Sequence, residues 1–130
     1  MKKFIHASLL ATCLVLLTGS SLIAQDVIKN NTDCLFRVRL AYGPVGPSCN
    51  ATGFIDVFVS GGTAVNAGIP AGTEIKYTKG AYTFAGSLSC PFYIGLSCSP
   101  YPLAVGVSCS TFCGSYKAKL IPGTGILIYN

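Results

Sequence analysis

The sequence predicts an all-β protein: a small disulfide-stabilised β-sandwich of about seven to eight short strands. Three observations lead there. Short runs alternate apolar and polar residues with period two. Fifteen Gly and seven Pro punctuate the chain too often for long helices. Seven Cys stand in a chain of 130 residues that opens on an export pattern.

The start comes first. Lys2 and Lys3 precede an apolar stretch from Ala7 to Leu17, which Gly19, Ser20 and Ser21 interrupt, and Ala24 offers a small residue for cleavage. That order marks 1–24 as a cleaved secretory signal and 25–130 as a single disulfide-bonded β domain, secreted or held in the periplasm or at the cell surface. The apolar run falls short of the roughly 20 residues a membrane span needs, so the mature chain is expected to carry no stable span. Leu10-Ala11-Thr12-Cys13 has the order of a bacterial lipobox. Thr12 replaces the usual smaller residue, however, and cleavage there would leave Leu14 to Leu17 on the mature chain.

The strands follow in order. Asn30 to Asp33 reads as a turn, because Asn and Asp side chains bond nearby backbone groups. Phe36, Val38, Leu40 and Tyr42 share one face, with Arg37 and Arg39 opposite. From Phe54 to Ser60 both faces are apolar enough to be covered, and Gly61-Gly62 ends the run. Ile75 and Tyr77 alternate with Glu74, Lys76 and Thr78, and Lys79-Gly80 is expected to turn the chain into Tyr82 to Phe84 as a hairpin. Phe92 to Leu96, Leu103 to Ser108, Tyr116 to Ile121 and Ile126 to Tyr129 complete the set, the last two joined through Pro122-Gly123. Gly43 to Gly53 and Ala67 to Gly72 are connections inside the one domain. The repeated apolar-Ser-Cys steps at Cys90, Cys98 and Cys109 read as strand ends that turn a Cys into the core.

Removal of the signal leaves six cysteines: Cys34, Cys49, Cys90, Cys98, Cys109 and Cys113. An even number in a small exported chain reads as a disulfide framework. Cys34 and Cys49 flank one strand and its return loop, so they are expected to pair, with the other four pairing among themselves.

Catalytic chemistry has little to work with. The only His, His6, leaves with the signal, which removes Ser-His-Asp and Cys-His systems and histidine zinc sites. Cys109 and Cys113 have a loose metal-site spacing, but an oxidising compartment favours the disulfide. The acids are Asp26, Asp33, Asp56 and Glu74. Asp33 reads as turn chemistry, Asp56 and Glu74 as residues on solvated strand faces, and Asp26 lies near the new N-terminus. No paired-carboxylate site, phosphate loop, dinucleotide fingerprint or calcium loop is legible. The expectation is a protein that is not an enzyme, with no cofactor and no metal. Loss of Lys2 and Lys3 lowers the formal net charge from +5 to +3, too mild for a nucleic-acid partner.

Two patterns point to binding instead. Arg37, Arg39, Lys76, Lys117 and Lys119 lie on polar strand faces and would form a positive stripe if those strands were neighbours. Seven Tyr are many for this length, and Tyr suits interfaces and sugar surfaces. Tyr101, between Pro100 and Pro102, is the best single candidate for an exposed contact. Asn30-Asn31-Thr32 and Asn50-Ala51-Thr52 match the glycosylation triplet, and a bacterial signal predicts both bare.

Asn30-Asn31-Thr32-Asp33-Cys34 before an alternating strand, then Ile69-Pro70-Ala71-Gly72-Thr73-Glu74-Ile75-Lys76-Tyr77 before an aromatic one, resembles small secreted bacterial proteins of unknown function. The resemblance covers Val27 to Gly86 and implies a β-sandwich without implying an activity. The reading is therefore a secreted, non-catalytic binding or structural surface protein whose partner is a glycan or an extracellular protein. The alternative is a small inhibitor presenting Gly43 to Cys49 as a disulfide-pinned loop.

Overall fold

The computed structural model describes residues 26–130; the signal segment and Cys13 lie outside the described residues. Among the described residues nine strands form: β1 (Val27–Asn31), β2 (Phe36–Pro44), β3 (Gly53–Val59), β4 (Thr63–Asn66), β5 (Thr73–Phe84), β6 (Ser87–Gly95), β7 (Ala104–Val107), β8 (Tyr116–Ile121) and β9 (Gly125–Tyr129). They make a five-stranded sheet in the order β4-β1-β9-β8-β7 and a four-stranded sheet in the order β3-β2-β5-β6. Neighbours are antiparallel except β1 and β9, which run parallel from Val27 beside Gly125 to Asn31 beside Tyr129.

Alternation builds the core. β2 turns Phe36, Val38 and Leu40 inward, and the five-stranded sheet answers with Ile28, Ala118, Leu120, Ile126 and Ile128, all buried. Each large side chain so removed from water contributes about 1.5–3 kcal/mol. The Phe36 ring meets Tyr116 edge-on at 4.8 Å, and the Tyr116 hydroxyl donates to the Cys90 carbonyl. Burial pushes the Tyr116 hydroxyl pKa well above its usual value, so that donor keeps its proton.

The expected hairpin at Lys79-Gly80 does not form. Residues 73–84 are one continuous strand, and the chain reverses at Ala85-Gly86, where both φ angles are positive (49° and 79°). Two such residues suit the twist of a two-residue hairpin. Gly80 serves packing instead: a Cβ there would lie 2.2 Å from the Phe92 ring.

Two strands were hidden from the sequence. β1 runs into the segment read as a turn, overlapping it at Asn30 and Asn31, and Asn30 is fully buried. Its amide donates to the Cys34 carbonyl (2.6 Å) and the Val59 carbonyl (3.0 Å). Its Oδ1 accepts from the Thr32 backbone N–H (3.0 Å) and hydroxyl (2.7 Å). The Asn30 triplet is thus a structural bracket that offers no accessible amide. β4 is four residues long, too short to show a period.

All six cysteines are disulfide-bonded, but the Cys34–Cys49 pairing is overturned. The bonds are Cys34–Cys113, Cys49–Cys98 and Cys90–Cys109. The reason is length. The nine residues of β2 separate Cys34 from Cys49 and span about 30 Å, so these two cysteines sit at opposite ends of the sandwich.

Candidate ligand-binding face

The outer face of the four-stranded sheet is set by register. Phe54, Ala41, Tyr77 and Gly95 lie side by side across β3, β2, β5 and β6. Asp56, Arg39, Lys79 and Tyr93 form the next row, and Phe58, Arg37 and Ala81 a third. Phe54 is 61% exposed and Phe58 58%, so the face of β3 expected to be covered is open.

Small residues between the rings leave hollows. One of about 170 Å³ is floored by Ala41 and walled by Phe54, Tyr77, Tyr93, Tyr101, Arg39 and Lys79. A second, of about 100 Å³, continues past Arg37 and Ala81 to Leu88. A third, of about 290 Å³, continues the other way past Tyr77 and Tyr101 to Cys49, Cys98 and Pro100. Shared walls make them one shallow track along β5.

The rings form a connected series. Phe54 and Tyr77 lie 6.5 Å apart, Tyr77 and Tyr101 6.1 Å, and Tyr101 and Tyr93 5.5 Å with planes 29° apart. Tyr101 is half-buried against its neighbours, less free than its Pro-flanked position suggested. The loop beyond β6 holds it. The Ser99 hydroxyl donates to the Leu96 carbonyl (2.8 Å), Gly95 N–H donates to the Pro102 carbonyl (2.9 Å), and Cys98 is tied to Cys49. Gly95 makes this possible, since a Cβ there would meet Ser99 Oγ at 2.1 Å.

The electrostatics are asymmetric. Arg39 makes a bidentate pair with Asp56 (2.9 and 2.8 Å), and Arg37 reaches the same carboxylate at 3.0 Å. These two guanidinium groups hold the Asp56 carboxyl far below the usual carboxylate range. Lys79, exposed beside them, has no carboxylate partner among the described residues, and its Nζ lies 5.4 Å from the centre of the Tyr93 ring. Two arginines and one lysine against one aspartate leave the face positive.

The single positive stripe does not exist. Lys117 and Lys119 are on β8, on the outer face of the other sheet, over the Tyr129 ring at 6.0 and 5.7 Å. Lys76 is 0% exposed and not on a solvated face. Its Nζ bonds Glu74 Oε1 (2.7 Å) and the Gly46 carbonyl (3.1 Å), while Glu74 also accepts from Gly46 N–H (3.3 Å). These bonds and the Cys49–Cys98 bridge pin the loop whose tip, Val45, is 68% exposed.

Three of the four acids are placed by their surroundings. Asp56 is committed to two arginines and Glu74 to Lys76 and the loop. Asp26 is nearly buried, and desolvation, with the Glu74 charge second, raises its pKa above the usual value. No group of three or more His, Cys, Asp or Glu is placed to hold a metal among the described residues. Sequence reasoning found Tyr101, Arg37 and Arg39 but missed Lys79 as a site residue, having placed it in a turn. The signal was present: Tyr77, Lys79 and Ala81 keep strict alternation through Gly80. No known protein family, curated protein or solved structure matches the chain.

Proposed function

We propose that this is an exported, non-catalytic carbohydrate-binding protein that engages glycan chains along the outer face of the four-stranded sheet. The observation that carries the reading is the connected cluster of Phe54, Tyr77, Tyr101 and Tyr93, four rings on an open sheet face. Aromatic faces accept the C–H surfaces of sugar rings, and Tyr hydroxyls at the rim meet sugar hydroxyls. The shallow track suits a chain lying flat better than a small molecule enclosed on all sides. Three disulfides fit the oxidising environment that export provides.

The test is a glycan array probed with the mature protein and with Tyr101→Ala and Tyr93→Ala. Binding of at least one glycan, weakened about tenfold in each variant with unchanged thermal stability, is expected. Binding indifferent to both substitutions would remove the face from the mechanism.

A second reading rests on the exposed loop around Val45, pinned by Lys76, Glu74 and the Cys49–Cys98 bond as an inhibitor's reactive loop would be. Assay against a panel of extracellular proteases, with Val45→Gly as control, separates the two. Inhibition lost on that substitution supports the loop.

A further inference from the structure

We propose that the glycan recognised on this face is acidic: a chain carrying uronate carboxylates, one of which meets Lys79 at the hollow walled by Tyr93 and Tyr101. This rests on the carbohydrate reading above and names the ligand class for the same site.

The charge pattern carries it. The full chain has four carboxylic side chains, Asp26, Asp33, Asp56 and Glu74, and each lies within the described residues. Of these only Asp56 stands on this sheet face, and both arginines there converge on it. It stays ionised, so the arginines remain engaged and fixed in place. Lys79 is left as the uncommitted cation, one register position from Arg39 on β2 and one from Tyr93 on β6. Its Nζ stands over the Tyr93 ring, 5.4 Å from the ring centre, at the hollow that Tyr93 and Tyr101 wall. A neutral sugar would leave that charge without a partner. A uronate places a carboxylate at the edge of its ring, within reach of an ammonium at the platform's rim. An acidic peptide fits less well: the hollows are shallow, and nothing on this face offers backbone groups to pair with an extended chain.

The other face supplies the control. Lys29, Lys117 and Lys119 on the five-stranded sheet also lack carboxylate partners among the described residues, but they have one ring, Tyr129, and no series of platforms. Simple attraction to any polyanion would use that face at least as well.

The experiment is calorimetric titration of the mature protein with oligomers of galacturonate, alginate and hyaluronate. Each is run beside its methyl ester, with long-chain polyphosphate as a polyanion without sugar rings. At least one uronate is expected to bind, its ester about tenfold more weakly, with affinity falling as salt rises. Lys79→Gln should lower affinity for the acid about tenfold and close the gap between acid and ester, while Tyr101→Ala weakens both. Equal affinity for acid and ester overturns the proposal and leaves carbohydrate binding standing. Polyphosphate bound as tightly as the uronates, or a loss that follows Lys117→Gln/Lys119→Gln instead of Lys79→Gln, overturns it in favour of diffuse charge. Silence toward every glycan, acidic or neutral, overturns it together with the carbohydrate reading.

Discussion

Asn30 concentrates in one amide what the sequence scattered among turn signals. Its two donors satisfy carbonyls of Cys34 and Val59, and its oxygen takes two donors from Thr32. An aspartate of the same shape cannot donate to either carbonyl. Asn30→Asp is therefore expected to lose about 2–4 kcal/mol, read as a lower urea midpoint at neutral pH. The two titrating aspartates have opposite signs. Asp56 has a depressed pKa when folded, so its contribution is present above the ordinary Asp value, near pH 4, and is lost as pH falls further. Asp26 has a raised pKa, so the fold favours its protonated form, and stability drains away as pH rises above that same value. Asp26→Asn is expected to raise the Tm at pH 7 and to have no effect near pH 3. An equal gain at both would show that the charge is not the cause.

Strands explain why the site was only half legible. The alternation of Phe36 to Leu40 named Arg37 and Arg39 as outward residues directly, because period two is local. Phe54 nears Lys79 only through the pairing of β2 with β5, Tyr93 through the β5–β6 register and Tyr101 through the loop beyond β6, and register is not written in any one run. The Gly at position 80 misled for a physical reason: glycine serves turns and tight packing alike, and only the Phe92 ring across the sheet tells which. The disulfides were unreadable for a similar reason, since proximity in sequence counts for little when a strand carries two cysteines to opposite ends. At the loop after β2, the buried Lys76 depends on Glu74 for its charge partner. Glu74→Gln leaves that ammonium buried and without its carboxylate. The expected cost is about 3 kcal/mol, with faster proteolysis between Val45 and Ser48. A loop as resistant as wild type would show that the Cys49–Cys98 bond suffices alone.

The molecule as a whole is small enough for its cross-links to decide whether it folds. Cys34–Cys113 closes a separation of 79 residues, Cys49–Cys98 one of 49 and Cys90–Cys109 one of 19. Loop-closure entropy assigns them about 4.5, 4 and 3 kcal/mol taken singly. Replacing Cys34 and Cys113 together by Ser is expected to destabilise more than the Cys90 and Cys109 double replacement, as measured by urea unfolding under non-reducing conditions. The reverse order would place native packing around the short link above chain entropy. The parallel contact of β1 with β9 has a further consequence, in time instead of in space. Among the described residues the first strand, β1, is an inner strand of its sheet, and one of its two neighbours is the last, β9. That sheet cannot be completed, nor Cys34 joined to Cys113, until segments from opposite ends of the described residues have met. Local pairing alone cannot finish the five-stranded sheet, so its closure is expected to be slow and to follow the β5–β6 hairpin.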